Sequence, residues 1–320
     1  MVSRFRRTLS FPANPSRPSS KSYHVRSISL PCRSHPLISQ LQTEIQHLRD
    51  WTTTTTSTQL TSSPAARACE GLVLLKSLHG SVDDLLQLPQ TQDSLRGRPD
   101  WAERLLDDFL LFADVFGVLR DALINLKEEQ LGVQVGVRMR SNNEAVLGMM
   151  GAYVKARKRM AKEARRVAGE VRTFMASTTL QLVLLHGINA DDELAMILRD
   201  VHDVTVSSTL SILNVIVHAS SSSSSSNYSL MNCGSWKVWK KKKKKSCGDF
   251  GGFELEVERR MWGVVLRKRG GVGIEELSRG VLLGKLEEME KCIGEMESGS
   301  EGVFRSFLRA RVSLLNILSQ

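Results

Sequence analysis

From Asp100 to Met139 the apolar residues Ala102, Leu105, Phe109, Phe112, Phe116, Leu119, Leu123 and Leu126 recur at alternating steps of three and four. That is the 3.5-residue period of helices packed lengthwise against one another. A helix this long cannot bury such a seam on itself, so the chain must supply partners. Asp100, just after Pro99 and three residues before Glu103, has the form of a capping box and predicts the helix start. A matching seam lies at the other end of the chain, where Leu282, Leu286, Met289, Ile293, Met296, Ser300, Val303, Phe307, Ala310, Leu314 and Ile317 step by four and three without a slip. Gly299 and Gly302 around Ser300 predict a bend there. The expected fold is all-α: an elongated antiparallel helical bundle with long coiled-coil-like helices, closed by segments distant in sequence.

The intervening sequence supplies further helices. Pro36 opens one, with Leu37, Leu41, Ile45, Leu48 and Trp51 on one face, and Thr52–Thr58 reads as a linker of β-branched polar residues. Ser63 and Pro64 predict an N-cap and first helical position. The apolar residues from Leu72 to Leu88 carry that helix to Pro89. Ser141 with Glu144 repeats the capping-box pattern before a seam of Tyr153, Ala156, Met160, Ala164, Val167, Val171 and Phe174. The other face of that helix carries Lys155, Arg157, Lys158, Arg159, Lys162, Arg165 and Arg166. Such a face either binds phosphates or is solvated and paired with acidic neighbours. Gly187 punctuates, Asn189 caps, and Leu194, Ile197, Val201, Val204, Ile212 and Val215 mark the next helix. A helix around Phe253–Arg269 and a turn at Gly270–Gly273 precede the last seam.

Charge is distributed unevenly. Residues 1–43 hold six Arg and Lys21 with no acid, and Lys237 with Lys240–Lys245 forms a second basic run. Each carries +7, so against the total of +10 the rest of the chain stands at −4. This organisation divides the 320 residues into a disordered basic arm (1–34), a first part of the bundle (35–218), a low-complexity linker (219–249) and C-terminal helices that complete the same bundle (250–320). Cys32, Cys69, Cys233, Cys247 and Cys292 are odd in number and show no C-x-x-C spacing, which favours reduced thiols over disulfides or a zinc site. The arginines at the start precede a Pro/Ser-rich stretch, not the apolar core of a secretory signal. The apolar part of Val204–Trp236 is too short and too rich in Ser and Thr for a membrane span.

The arm contains one pattern twice: Arg7, Ser10 and Pro12, then Arg26, Ser29 and Pro31, with a hydroxyl residue two positions before each central serine. This resembles the phosphoserine motif read by 14-3-3 proteins. Arg suits a basophilic kinase, phosphate adds about −2 charge for an Arg cluster to grip, and Pro redirects the chain out of a groove. The two serines are 19 residues apart, and a flexible spacer of that length spans about 25 Å, enough for bivalent engagement of a dimer. A chloroplast transit peptide fits the same acid-poor composition. In the linker, Trp236 and Trp239 precede Lys240, Lys241, Lys242, Lys243, Lys244 and Lys245. Three readings fit: a solvated charge run, a nuclear-localisation signal, or an anchor to an anionic membrane surface flanked by Cys233 and Cys247 as acylation candidates. Cytoplasmic placement leads, with plastid, nucleus and peripheral membrane as alternatives.

No catalytic fingerprint emerges: P-loop, G-x-S-x-G, H-E-x-x-H and dinucleotide motifs are all missing from the sequence. Glu44 and His47 have di-iron helix spacing, but such a site needs a second pair. Asp83-Asp84, Asp107-Asp108 and Asp191-Asp192 diverge by about 100° on a helix and read as surface or capping charges. The histidines share no spacing. The expectation is therefore a non-enzyme with no cofactor, metal or small-molecule substrate, acting through protein partners and not through nucleic acid.

Several stretches together point to a family: residues 24–31 (HVRSISLP) with Ser34-His35-Pro36, residues 82–89 (VDDLLQLP), residues 153–158 (YVKARK), and the ending 311–319 (RVSLLNILS). They resemble the BYPASS-type plant proteins, a plant-specific domain of unknown function. The resemblance runs from His24 to the end, with the Ser/Lys-rich linker as its variable part. It implies an all-helical, non-enzymatic protein from a family linked to root and shoot development through a root-derived mobile signal. A family motif holding Ser29 argues against a merely cleaved transit peptide.

Overall fold

The computed structural model describes residues 36–56, 63–184, 193–221 and 272–319. Within them lie seven helices and no strand, so the fold is all-α. They are α1 (Pro36–Thr56), α2 (Pro64–Leu86), α3 (Pro89–Arg96), α4 (Pro99–Arg138), α5 (Asn143–Leu184), α6 (Glu193–Ser221) and α7 (Val272–Ser319). The 40 residues of α4 and 48 of α7 make rods of about 60 and 70 Å.

Every seam residue expected on α4 and α7 is buried, and the two helices share the most extensive contact in the molecule. They run antiparallel: Gly117 faces Phe304, Arg120 pairs with Glu301, Lys127 with Glu297, and Arg138 with Glu287. Buried Gln130 donates to the Leu286 carbonyl at 2.7 Å, which fixes the register from inside the seam. By contrast α2 runs parallel to α7, with Leu72 against Gly299, Lys76 against Gly302 and Asp83 accepting from Ser313. The helix contacts close a ring in the order α2, α7, α4, α5, α6, with α1 lying over α2 and α6. One cluster of buried apolar residues runs through it.

Local signals were less faithful than the periodicity. Helix α4 begins with Pro99 at its first position and Arg98 at the N-cap, with no side-chain cap. Asp100 and Glu103 thus lie inside the first turn or just beyond it, where acids favour the positive helix end. Asn142, not Ser141, caps α5, its side-chain oxygen accepting from the Ala145 N–H at 2.7 Å. Before it Arg140 takes φ 53 and the Ser141 N–H bonds the Gly136 carbonyl, a left-handed helix end of the kind usually given to glycine. Ser63 caps α2 as expected, accepting from Ala66.

The threonines after Trp51 continue α1 to Thr56 instead of ending it. Thr52, Thr53 and Thr54 turn their hydroxyls back onto carbonyls of the preceding turn, which satisfies them within the helix. Helix α3 has no counterpart among the expected elements, because its eight residues are mostly polar and Leu95 alone marks a buried face. Val272 and Gly273, expected in a turn, open α7, and α7 is continuous through Ser300. Gly299 and Gly302 serve close packing there, since a Cβ would meet Leu72 at 3.0 Å and Lys76 at 2.9 Å. Gly187, Asn189 and Phe253–Arg269 lie outside the described residues.

Candidate functional site

Four helices of the ring, α2, α4, α6 and α7, bring two histidines and an inward carboxylate together around a group of phenylalanines. Phe307 of α7 stacks on Phe112 and Phe116 of α4 at centroid distances of 5.3 and 6.0 Å. His79 of α2 enters this aromatic group, 4.1 Å from the Phe307 ring and edge-on to Phe109. It is 1% exposed, and its Nε2 is hydrogen-bonded to Thr205 Oγ1 of α6 at 3.0 Å. One turn earlier on α6, His202 packs edge-on to Phe112 and places Nδ1 3.0 Å from the Asp108 carboxylate.

The two imidazoles are tuned oppositely. Burial pushes His79 down to about 3, so it is neutral at any ordinary pH. Burial also acts to lower His202, but its hydrogen bond to Asp108 and the charges of Asp108 and Asp203 outweigh that and raise it. His202 and Asp108 therefore form a hydrogen-bonded pair that favours the protonated imidazole, in the same aromatic group as a neutral histidine.

Catalysis would ask more of this cluster. Thr205 and His79 have the spacing of a nucleophile and its base, but both are sealed from solvent and His79 Nδ1 has no described partner. A base held near 3 cannot deprotonate a hydroxyl at neutral pH. Cys69 offers no nucleophile either: burial first, then nearby Cys292 and Glu295, push its thiol up to about 12. Neither Cys69 nor Cys292 is in a disulfide. Among the described residues no group of acids, histidines and cysteines could hold a metal ion, and Glu44 instead accepts from Ser77. The arrangement organises the core.

Histidines that share no sequence spacing thus meet in space. Asp107 and Asp108 diverge as expected, yet only Asp107 is a surface charge, since Asp108 turns inward to His202. The basic face of α5 is exposed with one exception: Arg157 is 1% exposed. The positions singled out for phosphorylation (Arg7, Ser10, Pro12, Arg26, Ser29, Pro31) and for targeting (Trp236, Trp239, Lys240–Lys245) lie outside the described residues.

A family model described as Protein BPS1 matches residues 71–317. The chain belongs to the BPS1 family, the BYPASS family. The BPS1 match spans most of α2 and nearly all of α7, and so includes every residue of the histidine and phenylalanine cluster. Three of the four stretches that resemble the family fall largely within it, the last running two residues past its end. The HVRSISLP stretch around Ser29 precedes it, so BPS1 membership does not bear on whether the arm is a transit peptide. No curated protein and no solved structure matches the chain.

Proposed function

We propose that this BPS1-family chain is a non-catalytic helical adaptor, with a role in root and shoot development as the family resemblance implies, and that its N-terminal arm is controlled by phosphorylation. The observation that carries the adaptor reading is the use of the interior: the histidines, the inward carboxylate and the aromatic rings are spent on one another, while the outer helix faces carry charge. Recognition then belongs to surfaces and to the arm. Arg7-Ser10-Pro12 and Arg26-Ser29-Pro31 suit a 14-3-3 dimer, with each phosphate held by a cluster of Arg in the groove and the spacer permitting bivalent capture. Pull-down of 14-3-3 by the kinase-phosphorylated full chain tests this. Binding is expected only after phosphorylation and is lost in Ser10→Ala/Ser29→Ala; a double variant that binds like the native chain ends the proposal.

The alternative is a peripheral membrane protein. No described helix is long and apolar enough to cross a membrane, so attachment would rest on the linker, where Trp236 and Trp239 can insert beside Lys240–Lys245. Each Lys near an anionic surface contributes about 1 kcal/mol. Flotation with phosphatidylserine vesicles should therefore collapse when the lysines become Gln, and unchanged flotation would exclude this reading.

A further inference from the structure

Helices α4 and α5 are neighbours in the ring, and their outer faces carry opposite charge. On α4 the exposed residues Asp107, Asp114, Asp121 and Glu128 fall at successive intervals of seven. On α5 the exposed residues Lys158, Arg165 and Arg172 do the same, with Lys155 and Lys162 on the same face. Within the protomer part of this charge is already neutralised. Asp121 meets Arg120 of its own helix, and Arg166 takes up Glu163 and Glu170. Asp107, Asp114, Glu128, Lys155, Lys158, Lys162 and Arg172 have no ion pair among the described residues.

The geometry points to a second copy of this chain as the occupant: a two-fold homodimer in which α4 of each protomer lies along α5 of the other. The tight turn at Arg140 sets the levels, because Gly136 sits beside Val146 and Met149 across the hairpin. Descending α4 by seven residues matches ascending α5 by seven. Glu128 then shares a level with Lys158, Asp121 lies between Lys162 and Arg165, and Asp114 meets the level of Arg172. A two-fold axis parallel to the helices preserves every level, so Asp114, Asp121 and Glu128 of one protomer face bases of the other, and the reverse holds by symmetry.

Apolar groups follow the same register. Val135 and Met139 stand out from α4 at 53% and 75% exposure. Their levels on α5 are those of Gly151 and Gly148, where an added Cβ would meet nothing within 4 Å. Glycine is a poor helix former, and nothing in the protomer requires it at either position. Against a partner's Val135 and Met139 these glycines become the sites of closest approach. An extended anionic surface, whether bilayer or nucleic acid, fits less well, because it would meet the acidic stripe of α4 directly beside the basic one.

Sedimentation equilibrium of the full chain tests the proposal. At low salt a dimer is expected, weakening toward about 1 M NaCl, where charges more than about 3 Å apart are screened. Asp114→Lys/Glu128→Lys and Lys158→Glu/Arg172→Glu should each sediment as monomers with native helical circular dichroism. Mixed in equal amounts they should form a dimer again, since the all-basic and all-acidic faces then complement each other. The recovery separates loss of the interface from loss of the fold. A monomeric native chain, a single-helix variant that still dimerises, or a mixture that stays monomeric overturns the proposal. So does binding of the native monomer to anionic vesicles through the same lysines.

Discussion

His79 and His202 lie on one aromatic group and make opposite demands on pH. Held down to about 3 by burial, His79 refuses a proton that the unfolded chain accepts below about 6.5. Its contribution is complete above that value and is lost as pH falls, by about 1.4 kcal/mol per pH unit. His202 is raised in the fold, so its contribution is complete below about 6.5 and is lost as pH rises through its raised value. Urea midpoints should therefore fall with acid between pH 6.5 and 5, above most carboxylate titration, with a slope that approaches one proton's at the acid end. In His79→Phe that slope should disappear, whereas in Asp108→Asn it should persist while the loss on the alkaline side vanishes. An unchanged acid slope in His79→Phe would show that another group carries it. The sequence could not reveal this pair, because both shifts come from packing and from a carboxylate almost a hundred positions away.

At the scale of the element, α2 shows how one substitution can have two signs. A Cβ on Gly71 would sit 2.5 Å from the Trp51 ring, which Arg67 covers from 5.3 Å as it donates to the Trp51 carbonyl at 2.6 Å. That ring buries the end of α1 against α2 and cannot swing away as a flexible chain end could. Gly71→Ala should therefore destabilise by about 1–3 kcal/mol, as overpacking does. Gly80, on the same helix but exposed with nothing within 4 Å of a Cβ, should gain roughly 1 kcal/mol on conversion to Ala from helix propensity. Thermal unfolding of the two variants decides the matter, and shifts of the same sign would refute the packing account. The sequence marks both residues only as glycines within a helical stretch. The face of α1 was legible because Leu41, Ile45, Leu48 and Trp51 repeat with the helix; the length of α1 was not, because threonine is neutral until its hydroxyl finds a carbonyl.

Across the whole molecule, the last helix fills the slot between α2 and α4, so the central seam of α4 gains its main partner only when the end of the chain arrives. Side-chain links reinforce this closure at intervals: Arg120 with Glu301, Lys127 with Glu297, Gln130 with the Leu286 carbonyl, and Arg96 with the Ile317 carbonyl. The fold class and the pairing of the two long seams were determined by the sequence alone, because a 3.5-residue period is a local property that only a lengthwise helix contact can bury. Tertiary structure decided what no local pattern encodes. It turned Arg157 inward, ran α2 parallel to α7, drew His79 and His202 onto Phe112 and Phe307, and set the acidic stripe of α4 beside the basic stripe of α5. Each of these depends on which faces meet across long stretches of chain, and the desolvation and charge placed there by that meeting fix protonation and register.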